Sequence, residues 1–548
     1  LTKKLEEAGA VIHYTEDPAL IPQDVSTVIY TPAIPADHGE WESIRQRGLR
    51  CYKRAEILGV LCRLYRTVAV AGTHGKTTTS SLIAYLLQSS IGCNAILGGL
   101  SINMGGNYHH DAKSQIMVTE ADEYDHSFWQ LYPYFSVVTS WDPDHMDVYG
   151  TLENMRAAYV RFMRQSDRFI ADSALDLPFQ PRFYYGLEKD GKARAYAENI
   201  RVENGAYIFT YVGPRGRIEN LRMVLPGRHN IENAVAAISI ALEMGVGPAK
   251  IRALLPGFKG VKRRLEYCHK GNKWQYYDDY AHHPSEIEAS ISALRECYPD
   301  YKLVVIFQPH LYTRTRDLCD TFASSLSEAD ELCLADIYPA REQPIEGVSS
   351  RLIGDKIQGK EVSYCNCEDI PAWVEKRTQR ADGKSGLLFV TMGAGNIDRS
   401  VEPLIRFFDK EDKAEEMMKR VSVIFALFLV VAASVAAFVL AVRHAEHALS
   451  KKACTTVRID IDRGGNIVYM QERDIKNWMS LHGITPQKTP LMQINASHIE
   501  TVLRQNPYVR DAQVYATPDE VLRIAVEQRN PVLKIINTRQ QTFQLDEN

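Results

Sequence analysis

The stretch VAVAGTHGKTTTSSLIAYLL, residues 68–87, sets Gly72, Thr73, His74, Gly75, Lys76, Thr77 and Thr78 between a β-branched run and an amphipathic one. A glycine followed by Lys-Thr at a strand-to-helix junction surrounds nucleotide phosphates with backbone N–H groups, a helix N-terminus and one ammonium. The threonine hydroxyl can then reach Mg²⁺. The usual first glycine of such a loop falls on Val70 here, and Gly72 opens the loop instead. This shortened variant disfavours a motor or a kinase.

Phosphate chemistry also needs an acid to hold the metal. The run SQIMVTE delivers Glu120 at a strand end, followed by Asp122, Glu123 and Asp125, one of which should face the ion. DPDHMD, residues 142–147, offers His145 beside carboxylates, again after an apolar run. GRHNIENAVAA places His229, Asn230 and Asn233 at a helix start. Their amides could read an adenine edge, although asparagine is also a favoured N-cap. GVKRRLE sets Lys262, Arg263 and Arg264 at a domain junction, where a guanidinium could meet the γ-phosphate or form a plain basic surface. DDYAHHPSE and QPHLYTRT follow strand-like runs and suit a second substrate. Arg314 fits a carboxylate, and His282 is placed to orient or deprotonate an amine or to cap its loop.

The 548 residues are several domains long, and 45% hydrophobic with 24% charged is ordinary globular composition. A net charge of −4 argues against a nucleic-acid partner. Ten cysteines occur without a Cys-x-x-Cys pair, and Cys365-Asn-Cys367 has no second pair to complete a metal site, so reduced, mostly buried thiols are expected. Residues 1–66 read as part of an α/β layer. From Thr67 to about Gly260, and again to Phe408, apolar runs spill repeatedly into polar loops, the layout of parallel sheets with helices on both faces.

Residues 409–420 read as a charged helical linker. Val421–Val442 holds no charge in 22 residues and would span roughly 33 Å as a helix, enough to cross a bilayer. Beyond it, Ile499, Val502 and Leu503 repeat at helical spacing, and Leu522, Ile524 and Val526 alternate as in a half-buried strand, which fits a small α+β module over residues 453–548. The expected arrangement is a single-pass inner-membrane protein with residues 1–408 in the cytoplasm and the C-terminal module outside. The only cysteine after the crossing is Cys454.

GTHGKTTT, EADE, DHMD, GRHNIENA, RRLE, DDYAHHPSE, QPHLYTRTRD, YPARE and GAGNID occur in the order of the Mur ligase family. Residues 1–408 resemble that family, within it the branch that joins L-alanine to UDP-N-acetylmuramate. The resemblance implies a UDP-sugar domain (1–66), an ATP-binding domain (67–261) and a Rossmann-like amino-acid domain (262–408). It implies that ATP activates a sugar carboxylate as an acyl phosphate, which alanine attacks. It further implies that Lys76 steadies the transferring phosphoryl group, that Thr77 and Glu120 hold one Mg²⁺, and that His145 helps with a second. His229, Asn230 and Asn233 would meet adenine, Arg264 and its neighbour Arg263 the phosphates, and His282 and Arg314 the amino acid. Two departures stand out. Leu311 replaces an arginine frequent in the family, and the glycine-rich loop that cradles the UDP diphosphate would precede Leu1, so an N-terminally truncated, poorly ligating enzyme is expected. A murein-peptide recycling ligase and an inactive ATP-binding scaffold are the alternatives. Residues 421–548, with NPYV and EQRNPV, resemble the FtsQ family of division proteins, one membrane crossing and a POTRA module. That likeness implies partners of the FtsB and FtsL type, met by strand addition.

Overall fold

The computed structural model describes residues 2–7, 9–31, 34–35, 37–271, 273–380, 386–465 and 467–546. The chain divides into two compact units, Leu1–Ala414 and Glu415–Asn548.

In the first unit, Thr27–Tyr30 and Arg50–Lys53 form a small parallel pair. A ten-stranded sheet follows, and its centre is parallel: Phe169–Asp172, Phe135–Val138, Arg66–Ala71, Ile116–Glu120 and Asn94–Ser101 lie side by side. Arg66–Ala71, Phe135–Val138 and Phe169–Asp172 are buried on both faces beyond the exposed Arg66, as their apolar runs require. Helices Lys76–Gln88 and Arg228–Glu243 cover one face in a core with Leu82, Leu86, Ile231 and Val235. Helix Leu152–Gln165 covers the other with Met155, Tyr159 and Phe162.

The expected parallel sheet is extended by an antiparallel meander, Ala193–Glu203, Ala206–Gly213 and Gly216–Met223, and by the antiparallel edge strand Gly106–His109. The turn after Glu203 is Asn204-Gly205, both at positive φ, which is the chemistry a tight hairpin needs.

Residues 260–262 cross to the next layer by pairing with the end of Asn94–Ser101, through Ile102 N to Gly260 O at 3.1 Å and Lys262 N to Leu100 O at 2.9 Å. Six strands follow in the spatial order Glu266–Lys270, Trp274–Asp279, Leu387–Met392, Lys302–Phe307, Glu331–Ala335 and Val362–Cys365. All are parallel except the first. Helix Val401–Ser450 begins here, burying Leu404 and Phe408 one turn apart, and runs without a break through the expected 408/409 boundary. From Val421 to Val442 every residue is exposed, and the helix is long and apolar enough to cross a membrane.

In the second unit, Thr456–Asp462 pairs parallel with Val521–Gln528, which pairs antiparallel with Val509–Ala516. Helices Glu472–Leu481 and Ala496–Arg504 share a core with this sheet. It contains Ile499, Leu503, Leu522, Ile524 and Val526, and Val502 is buried as well, the residues whose periodicity predicted it. Strands Pro531–Ile536 and Thr542–Asp546 form a separate hairpin, and residues 547 and 548 lie outside the described residues.

Phe408 stacks near His269, Trp274, Tyr276 and Phe389, with ring centroids 5.3–6.0 Å away. Phe408→Ala is expected to cost about 3–5 kcal/mol. The check is hydrogen exchange of the full chain: amides of Trp274–Asp279 should lose protection while those of Arg66–Ala71 keep theirs. Unchanged exchange in both strands would contradict this packing role.

Candidate active site

The loop between Arg66–Ala71 and Lys76–Gln88 depends on two glycines. Gly72 has φ 145°, and a Cβ there would run into Thr139 and Ser140. Gly75 has φ 77°, and its Cβ would sit 2.6 Å from Asn233 Oδ1. Gly75 also begins the helix without a side-chain cap, so the first helical N–H groups face the cleft ready for an anion. Ser140 Oγ accepts from His74 N at 2.8 Å and lies 2.9 Å from Thr73 Oγ1, which holds the loop's far side.

Lys76 Nζ donates to Glu123 Oε1 at 2.8 Å and also contacts the Gly72 carbonyl. The Glu123 side chain is only 1% exposed, and its other oxygen is buried with no hydrogen-bond partner. Glu123, Asp144 and His145 each bring a ligand atom within 4.8 Å of the others. Glu120 sits on the opposite side of the lysine's helix, accepting from Gly98 N at 2.6 Å, Thr77 Oγ1 at 3.1 Å and Ser80 Oγ at 3.4 Å. Burial pushes the Glu120 carboxyl above its ordinary range, against those donors and the Lys76 ammonium. An orphaned carboxylate oxygen, a second acid, a hydroxyl and one imidazole suit Mg²⁺ or Mn²⁺, hard ions that take oxygen donors.

One cleft of about 410 Å³ is lined by His74, Lys76, Thr77, His229, Asn233 and Arg264, and across it by Asp279 and Ala281. In the structure Asn230, Asn233 and Arg263 each hold a protein partner. Asn230 is buried and gives its amide to Pro226 O at 2.6 Å, and Asn233 accepts from Thr79 Oγ1 at 3.1 Å beneath Gly75. Asn233 therefore braces the phosphate loop at Gly75, both asparagines also line the cleft, and His229 is the exposed member of the three. Arg263, expected at the phosphates, turns into its own domain. Its guanidinium meets buried Asp278 at 3.3 Å and the Gly393 carbonyl, with Asp398 3.8 Å away. Arg264 alone of the pair lines the cleft with the loop.

The third cluster follows Trp274–Asp279 and Lys302–Phe307. His282 Nδ1 lies 3.1 Å from the Tyr280 carbonyl and 3.3 Å from Glu286. A carbonyl can only accept, so Nδ1 carries the proton and Nε2 keeps its lone pair. The His310 ring lies 6.0 Å from His282 and stacks on Tyr338. Burial, with Arg314 nearby, lowers the pKa of both imidazoles and favours their neutral forms. Arg314, on Tyr312–Asp317, has a buried Nη1 with no hydrogen-bond partner.

Family models match in series: Mur ligase family, catalytic domain, over residues 1–66, Mur ligase middle domain over 70–241, and Mur ligase, glutamate ligase domain, over 263–395. The chain is 44% identical over 426 residues to the UDP-N-acetylmuramate–L-alanine ligase of Phocaeicola vulgatus, covering 75% of this chain and 91% of that one. It is 43% identical over 425 residues to the ligase of the same name from Parabacteroides distasonis, covering 75% and 90%. The chain belongs to the Mur ligase family.

Among solved structures, the UDP-N-acetylmuramate-alanine ligase of Thermotoga maritima superposes with a TM-score of 0.63 at 25% identity, over 75% of this chain and 91% of that one. The MurF ligase of the same organism, solved with ADP, shares the fold at 16% identity and a TM-score of 0.50, over 73% and 98%. A POTRA-like domain matches residues 452–527.

Within this Mur ligase site, the sequence expected one of Glu120, Asp122, Glu123 and Asp125 to face the ion and the resemblance pointed to Glu120, whereas the structure turns both Glu120 and Glu123 toward Lys76 and its helix. Asp125 instead pairs with Lys53 at 2.6 Å, and Asp122 lies 3.9 Å from Arg54. His310 was not singled out, although it stands beside Arg314 in the same QPHLYTRT run. Glu123→Gln should keep the side chain's size while removing its charge from Lys76 and from the Asp144–His145 group. It is expected to weaken Mn²⁺ binding roughly 10- to 100-fold, read by calorimetric titration of the full chain. Unchanged Mn²⁺ affinity would place the ion elsewhere.

Proposed function

We propose that this chain joins L-alanine to UDP-N-acetylmuramate at the expense of ATP, as the relatives at 44% and 43% identity are named for doing. The observation that carries the reading is the unpartnered, buried Nη1 of Arg314 close to His282 and His310, whose neutral forms burial favours, a setting for a small amino-acid carboxylate and its amine. We take residues 1–66, 67–261 and 262–408 as the sugar-nucleotide, ATP and amino-acid parts.

ATP's phosphates lie along the uncapped helix N-terminus, with Lys76 at the phosphoryl group and Arg264 reaching them from the facing domain. A sugar carboxylate oxygen attacks the γ-phosphorus and the bond to ADP breaks, giving an acyl phosphate. Mg²⁺ held by Thr77 and Glu120, with a second ion at Glu123, Asp144 and His145, would neutralise charge on the transferring group. Arg314 fixes the alanine carboxylate. His282 Nε2 takes the ammonium proton, so the free amine attacks the acyl carbon and phosphate leaves. Arg314→Ala is expected to raise the KM for alanine roughly 10- to 100-fold with little change in that for ATP, measured by ADP release. Equal weakening toward both, or a preference for a tripeptide over free alanine, would overturn the assignment.

We further propose that the apolar helix crosses the inner membrane once. Residues 1–408 would then be cytoplasmic, where ATP and the UDP-sugar are, and the POTRA-like unit on the outer side would act as a division-site scaffold for FtsB- and FtsL-like proteins. Support comes from the 22 uncharged, exposed residues Val421–Val442 and from the POTRA-like match. Native Cys454 is 1% exposed and is a poor reporter of sidedness. Ser497→Cys, on an exposed helix position, replaces it. A membrane-impermeant maleimide should label that cysteine in cells whose outer barrier is opened. Labelling only after lysis would reverse the orientation.

A further inference from the structure

The sequence pairs Cys365 most obviously with Cys367, but the fold pairs it with Cys333. Strands Glu331–Ala335 and Val362–Cys365 run parallel with Cys333 opposite Ser363 and Ala335 opposite Cys365. The two cysteines therefore stand on one face of the sheet, two residues out of register, and their sulfurs lie 3.2 Å apart. Among the ten free cysteines no other pair is recorded in thiol contact. Cys333 is fully buried, whereas Cys365 is half-buried at the end of the sheet's edge strand.

We propose that Cys333 and Cys365 form a reversible thiol–disulfide pair that responds to peroxide and adjusts the amino-acid side of the cleft. The half-exposed Cys365 thiolate attacks the peroxide O–O bond, giving a sulfenic acid and one water after proton uptake. The Cys333 sulfur then attacks the sulfenic sulfur. The S–O bond breaks, the S–S bond forms, and a second water leaves with the Cys333 proton. In all, two thiols are oxidised and one peroxide is reduced, and a dithiol reductant reverses the change. Contact with Cys333 lowers the Cys365 pKa, consistent with Cys365 as the attacking sulfur.

Closure must move backbone. Cα atoms two residues out of register on neighbouring parallel strands are about 8 Å apart, beyond the roughly 4.4–6.8 Å a relaxed disulfide spans. The edge strand has a neighbour on one side only, so its end is the part that can shift. Two residues on, Cys367 N donates to Asp336 Oδ1 at 2.6 Å, and the Asp336 carbonyl accepts from Gln308 at 3.3 Å. Asp336 opens the loop that carries Tyr338, whose ring stacks on His310 and whose carbonyl accepts from Leu311 N at 2.9 Å. Glu342 closes the loop by accepting from Thr313 N at 3.0 Å, next to Arg314. Pulling the strand end thus displaces the loop that positions His310 and the Arg314 helix. A strained disulfide is also readily reduced, as a reversible device requires.

The link itself is independent of the activity, while its effect on alanine rests on the proposed ligase reading. The full chain in detergent is treated with hydrogen peroxide, alkylated, digested and examined by mass spectrometry, then reduced with dithiothreitol and examined again. A Cys333–Cys365 cross-linked peptide that disappears on reduction is expected, and Cys365→Ser should abolish it. In parallel, oxidation should raise the KM for alanine at least fivefold, leave that for ATP unchanged, and have no such effect on Cys365→Ser. Alkylation of both thiols after peroxide, or a Cys365–Cys367 link instead, would overturn the pair. A Cys333–Cys365 link with unchanged alanine KM would overturn the coupling. Absence of ligase activity in the reduced protein would count against the function and leave the cross-link readout standing.

Discussion

Strands Arg66–Ala71, Ile116–Glu120 and Phe135–Val138 lie parallel, with Val68 opposite both Val118 and Phe135. That alignment is the constraint on which the site rests. It brings Val70 level with Glu120 and Ala71 level with Val138, so the chain leaves three neighbouring strands at one edge. The first exit becomes the phosphate loop, the second delivers Glu120 and Glu123, and the third delivers Thr139, Ser140 and His145. One-residue slippage of a parallel strand would reverse which side chains face each core, and both faces here are buried, so the register is firmly held. The Lys76–Glu123 pair is a consequence. A carboxylate with so little exposure is stable as an ion only beside a cation, and the strand ends place it at the head of the lysine's own helix.

A second element aims the facing domain. Residues 263 and 265 are Arg and Leu, yet both have positive φ, 59° and 45°. Side chains pay strain there that glycine would not, and the surrounding bonds hold the segment to it. Arg263 N reaches Glu266, its guanidinium reaches Asp278, and its carbonyl accepts from Tyr280 N at 2.8 Å. With residues on either side fixed, Arg264 is left projecting into the cleft. The same anchoring accounts for Asp278, whose burial pushes its carboxyl up to about 7 against the help of Thr391 and Arg263.

The phosphate loop, the strand-end acids and the small α+β module were legible because each is a local pattern: glycine before Lys-Thr, an acid after an apolar run, and periodicities of 3.6 and 2. Direction within a loop was not legible. Glu120 and Glu123 face the site while Asp122 and Asp125 lie beside Arg54 and Lys53, and that choice is made by a partner about 70 residues away in the chain. Asn230 and Asn233 carry a nucleotide-reading composition, but Asn233 braces the loop, where Gly75 needs a close, small-contact neighbour. Arg263 and Arg264 are adjacent in sequence and differ only in backbone conformation. The meander over residues 193–223 did carry a readable signal, Asn204-Gly205, which the parallel pattern around it overshadowed. Cys333 and Cys365 meet only through strand pairing, so spacing alone could not join them.

Helix Val401–Ser450 carries two side-chain patterns in one unbroken element. In its first turns only the stripe of Leu404 and Phe408 is buried, and on the polar side Asp409 hydrogen-bonds His269 at 2.8 Å while Asp412 lies 3.2 Å from its other ring nitrogen. Removing these turns would open the aromatic face of Trp274 and Tyr276, so they belong to the core of the domain. From Val421 the stripe becomes a full apolar circumference, all of it exposed, which water would penalise and hydrocarbon would not. The pattern changes between Arg420 and Val421, with Lys419 and Arg420 as the last charges before it. The boundary between the turns that complete the domain core and the apolar turns that follow is therefore drawn by side chains, with no break in the helix.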